Sequence, residues 1–157
     1  ILIAGAASLY SRREYSARPR TDLGKLTKRV SVLHIGLTFI VIILGTIVTG
    51  SGPHAGDEKA QRFGFDIRTV SWLHADAVIA LLGLTAAYYI LVRNDPQLLR
   101  RVQVFLVIAL AQGAIGYIQY FTGIPEILVA AHLLGATLVW ITAWRIRISV
   151  TRSLIVN

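Results

Sequence analysis

Two histidines and an aspartate stand inside apolar stretches of this chain, and theirs is the chemistry that asks for an explanation. The run Trp72-Leu73-His74-Ala75-Asp76 lies early in a stretch with no further charge until Arg93, and His132 lies in Ala131-His132-Leu133-Leu134-Gly135-Ala136. Ionisable side chains are costly in hydrocarbon, and those found there serve pairing, proton transfer or ligation. There is no cysteine and no methionine, which excludes thiolate catalysis, disulfides and iron-sulfur clusters. Histidine is then the remaining side chain that commonly binds transition metals.

The surroundings of these residues set where they can meet. The chain has 157 residues, 55% hydrophobic and 15% charged, with a mean hydropathy of +0.63, the composition of an integral membrane protein. Four stretches near the roughly 20 residues needed to cross a bilayer predict spans at about 30–49, 69–92, 102–121 and 126–144, with Thr69 as N-cap of the second. Asn94-Asp95-Pro96 and Thr122-Gly123-Ile124-Pro125 are turn signals. Residues 1–10 are too short to span and read as the tail of a preceding transmembrane helix. Residues 11–29 read as a basic cytoplasmic loop broken by Pro19 and Gly24, and 145–157 as a basic cytoplasmic tail. Residues 50–68 form a glycine-rich loop on the other face, with room for a short surface helix around 58–63.

The segments 11–29, 93–101 and 145–157 hold seven, three and three Lys and Arg, against three (Lys59, Arg62, Arg68) between the first two spans. By the positive-inside rule the first set is cytoplasmic, in a multi-pass protein of the cell membrane. Topology therefore accounts for the net charge of +8, and no nucleic-acid partner is expected. The expected fold is all-α, an integral membrane four-helix bundle of up-down-up-down topology whose second and fourth helices are parallel and diagonal.

His74 lies about five residues and His132 about six residues into spans that start on the outer face, which at ~1.5 Å per residue puts both roughly 8 to 10 Å deep. Two imidazoles at one level on diagonal helices can share one metal. A bare ion wants three or four protein ligands, whereas a flat cofactor needing two axial nitrogens fits two histidines, so haem b, with His74 and His132 on its iron, is the candidate. Gly45, Ala75, Ala77, Gly113, Gly116, Ala130, Ala131 and Gly135 lie at about the same depth and leave room for a macrocycle. Such small residues equally serve close helix packing, and either histidine alone reads equally as hydrogen-bonded across a helix interface. The level-matched pair reads as ligation.

His34, near the cytoplasmic end, reads as a satisfied interfacial histidine, and His54 as a surface residue of the outer loop or a cover for an outward haem edge. Arg62 and Arg68 are outer cations suited to haem propionates or to water. Asp76, about 200° round the helix from His74, is not its obvious partner. Gln112 and Gln119 read first as cross-links between helices and second as cofactor contacts.

The runs Gly45-Thr46-Ile47-Val48-Thr49-Gly50-Ser51-Gly52-Pro53-His54-Ala55-Gly56-Asp57, Trp72-Leu73-His74-Ala75-Asp76, Gly116-Tyr117-Ile118-Gln119-Tyr120-Phe121-Thr122-Gly123 and Ala131-His132-Leu133-Leu134-Gly135-Ala136 together resemble the C-terminal half of haem A synthase, in its actinobacterial form. The resemblance covers about Val30 to Trp144. It implies an eight-helix enzyme of two similar halves that oxidises the C8 methyl of haem O to the formyl group of haem A. It also implies a b haem held by His74 and His132, in helices whose composition already calls for a lipid bilayer around them. The implied partners are haem O in the other half, an electron donor or acceptor, haem O synthase, and cytochrome oxidase assembly. The family's substrate half carries a glutamate three residues before its first histidine; here that position is Ser71, so this chain resembles the cofactor half and no catalytic residue is assigned. Two other readings stand beside it. One is a bis-His b-type cytochrome subunit for electron transfer, which usually carries a second histidine pair near the opposite face. The other is a transporter or assembly factor using His74, Asp76 and His132 as a proton path.

Overall fold

The computed structural model describes residues 2–11, 15–19, 23–52 and 61–154. It is an all-α bundle of five helices, α1 (Leu2–Ser11), α2 (Lys25–Ser51), α3 (Ile67–Leu91), α4 (Pro96–Phe121) and α5 (Glu126–Thr151). The last four are each long and apolar enough to cross a membrane. Two short strands, β1 (Tyr15–Pro19) and β2 (Arg152–Leu154), pair antiparallel beside them.

Every helix from α2 to α5 begins or ends outside the bounds expected from hydropathy, because charge at a helix end is compatible with helix. α2 starts at Lys25 immediately after Gly24, so Gly24 delimits the helix within the expected loop. Asp66, not Thr69, caps α3: its carboxylate accepts from the Thr69 N–H at 2.8 Å and from the Thr69 hydroxyl at 2.7 Å. Asp95-Pro96 is a helix start as well as a turn, with Asp95 accepting from the Leu98 N–H at 3.0 Å and Pro96 in the first turn. α4 thus contains Arg100 and Arg101, which hydropathy assigns to the loop. α5 carries on through Arg145 and Arg147 to Thr151, and β1 and β2 occupy parts of the segments expected to be loop and tail. Of the expected surface helix, Gln61 to Phe63 are non-helical and 58–60 lie outside the described residues. The turn into α5 places Gly123 at φ 78° and Ile124 at φ 60°, and the Ile124 N–H donates to the Gln119 carbonyl at 2.8 Å.

The four long helices form a ring in which α2 touches α3, α3 touches α4, α4 touches α5 and α5 closes on α2. α3 and α5 are therefore diagonal. α1 lies against α5, where the Trp144 indole N–H donates to the Ser8 carbonyl at 3.0 Å. Each inner face repeats at three or four residues: Thr27, Ser31, His34, Thr38 and Val41 on α2; Leu81, Thr85 and Tyr88 on α3; Leu98, Val102, Phe105 and Ala109 on α4; Val139, Ala143 and Ile146 on α5. All of these lie toward the end that bears the basic segments. Past Val41, Leu81, Ala109 and Gly135, among the described residues of these helices, no side chain is fully buried.

Candidate functional site

His74 and His132 belong to the loosely packed end. His74 is seven residues past the start of α3 and His132 six past the start of α5, so at ~1.5 Å per residue they lie ~10.5 and ~9 Å along two diagonal helices that start on the same face. Both are half-buried, and His132 stands within electrostatic range of His74.

Each ring leans into a notch left by a glycine on a neighbouring helix. A Cβ on Gly45 of α2 would lie 3.2 Å from Cε1 of His74, and a Cβ on Gly116 of α4 would lie 3.5 Å from Cε1 of His132. A third notch is deeper: a Cβ on Gly135 of α5 would overlap the side-chain amide of Gln112 from α4. Gly113, expected to take part, has nothing within 4 Å of where its Cβ would be. The glycines thus do more than let helix backbones approach, since three of them stand opposite the polar side chains of this end of the bundle.

The Nδ1 atoms of His74 and His132 and the Oε1 of Gln112 are buried without a hydrogen-bond partner. The His74 ring lies beside the Val41 carbonyl. A buried polar atom left unbonded is costly, so three of them within about one helical turn at this end of the bundle mark a place suited to a further polar or metal-bearing group. Among the described residues no three His, Cys, Asp or Glu converge as ligands for an ion. The donor set at this end is two imidazoles at matched depth on diagonal helices, each against a glycine of a neighbouring helix. This fits an iron macrocycle with two axial nitrogens.

Other expected participants fall elsewhere. Asp76 is exposed on α3. Arg68 leans over Trp72, its guanidinium carbon 6.0 Å from the ring centroid. Arg62 is half-buried beside Phe63, whose N–H donates to the Gly50 carbonyl at 3.1 Å. His54 lies outside the described residues. No protein family, curated protein or solved structure matches the chain.

The opposite end holds a polar group that sequence reasoning reaches only in part. His34 is fully buried, its Nε2 3.1 Å from the Thr85 hydroxyl, with Phe105 edge-on at 4.4 Å between ring centroids. The Thr85 hydroxyl donates to the Leu81 carbonyl at 2.7 Å, so it accepts from His34 and fixes the proton on Nε2. Nδ1 has no partner, so this histidine is satisfied on one nitrogen, not on both. Beside it Arg147 donates to the Ser31 hydroxyl at 3.1 Å, and Ser31 donates to the Lys28 carbonyl at 2.8 Å, tying α5 to α2.

Proposed function

We propose that this chain binds haem b through His74 and His132 and serves as the cofactor half of a haem A synthase in the cell membrane, with its basic segments and C-terminus cytoplasmic. The observation that carries the reading is the histidine pair: two rings at matched depth on diagonal helices, each seated against a glycine of the next helix and each with a buried, unbonded nitrogen. The motif resemblance around Gly45 to Asp57 and around both histidines adds the reaction class, oxidation of the haem O methyl group to a formyl.

Haem bound here through His74 and His132 would supply one-electron transfer. The chain's own residues do the rest. His74 and His132 would hold the iron, Gly45 and Gly116 give the rings their space, and the closed core from Val41 to Ile146 keeps the basic end of the bundle sealed beneath. Arg62 and Arg68, near the start of α3 at the same end of the bundle as the histidine pair, would offer cations to the propionates.

An electron-transfer cytochrome would share this pair but usually carries a second histidine pair near the opposite face. His34, the histidine there, is engaged with Thr85, which favours the synthase reading. The deciding experiment is extraction and chromatography of haems from membranes that make haem O and this chain together with the substrate half that the proposal requires. Formation of haem A that falls in His74→Ala and His132→Ala supports the synthase. Unchanged haem O beside an intact b-type spectrum supports the carrier.

A further inference from the structure

We propose that Gln112 is the hydrogen-bond acceptor that orients His132, a positioning residue for the ligation proposed above, on which this inference rests. An imidazole that gives its Nε2 lone pair to a metal carries its proton on Nδ1, and that N–H needs an acceptor to fix the ring's orientation. The Nδ1 of His132 is buried with none, and the Oε1 of Gln112 is buried with no donor. One atom is a donor lacking an acceptor, the other an acceptor lacking a donor.

Their placement brings them together. Gln112 precedes Gly116 by four residues on α4, and Gly116 is the residue against which the His132 ring rests. Gly135 follows His132 by three residues on α5, and the Gln112 amide fills the space where a Gly135 side chain would be. Both orphaned atoms therefore lie in the α4/α5 seam, one helical turn apart, roughly 5.4 Å along the axis. That is within the reach of a glutamine side chain turning about its own dihedrals.

The test uses the full chain in detergent, titrated with haem b, as wild type, Gln112→Leu and Gln112→Glu, reading haem affinity and reduction potential. Loss of an acceptor behind a ligating histidine makes the ring a poorer donor, so Gln112→Leu is expected to raise the potential and to weaken haem binding about 10- to 100-fold. Gln112→Glu, followed as pH is raised, is expected to lower the potential as the carboxyl ionises and pulls harder on the Nδ1 proton. If Gln112→Leu retains too little haem to measure, Gln112→Ala is read in its place. Opposite shifts in the two variants, with the His132 Nδ1–H proton resonance of the reduced, haem-loaded protein moved upfield when the amide is removed, establish the bond, because a charge or an apolar side chain merely near the haem shifts the potential through space and leaves that proton where it is. Potentials that stay at the wild-type value, with haem still held through both histidines, overturn the role of Gln112 alone. A wild-type chain that binds no haem overturns the ligation and this inference with it.

Discussion

At the scale of single residues, the three described histidines separate by what their nitrogens meet. His34 has a defined proton position because Thr85 spends its one hydroxyl proton on Leu81. Thr85→Val keeps the shape and removes the acceptor, leaving a buried N–H unbonded, and is expected to cost about 1 to 3 kcal/mol. Thermal unfolding would show the loss, while any haem bound at the far end should keep its spectrum. His74 and His132 have no such internal partner for Nδ1. Their depth is legible in the sequence because a count of residues from a span's start converts directly to height. The partnership of His34 with Thr85 is not, because it joins residues 51 apart and depends on how α2 and α3 are rotated. The same holds for Gln112, visible as a polar residue in an apolar run but without a partner until the bundle is assembled.

At the scale of elements, the glycines and caps make distinct predictions. Gly45→Ala would place a methyl 3.2 Å from the His74 ring, whereas Gly116→Ala would meet His132 at an ordinary 3.5 Å. Gly45→Ala should therefore weaken haem retention more than Gly116→Ala, as measured by transfer of haem to an acceptor protein. The small residues are recognisable by depth, but hydropathy does not say which side chain each one faces, and Gly113 faces none within 4 Å. Helix starts escape hydropathy for one reason: Asp66, Asp95 and Gly24 are starting signals set among charged residues, where apolar periodicity is silent. At Asp66, hydrogen bonds from the Thr69 hydroxyl and then the Thr69 N–H hold the carboxyl below its ordinary value. A depressed folded value means that the cap's contribution is fully present above the unfolded carboxyl value of about 4 and disappears as pH falls through the folded one. Asp66→Ala should thus lower stability at neutral pH and flatten its acid dependence, which unfolding measurements down to low pH would detect.

At the scale of the whole molecule, the bundle is packed at one end and open in texture at the other. Tyr88, Phe105, Leu98, Val102 and Ile146 are essentially inaccessible at the basic end, while the end with His74 and His132 buries no complete side chain among the described residues. Four spans and their order are legible because long apolar runs have few alternatives in a bilayer. The uneven packing is not, because in a membrane the inner and outer faces of a helix are both apolar and hydropathy cannot tell them apart. Under the proposed function, the loosely packed end is where a flat cofactor sits between two histidines. The most direct measurement is the reduced-minus-oxidised visible spectrum of the purified full chain with added haem, beside His74→Ala and His132→Ala. A low-spin b-type spectrum is expected in the wild type, lost or turned high-spin by either substitution. A spectrum indifferent to both substitutions, or a chain that takes up no haem, would contradict the paired ligation.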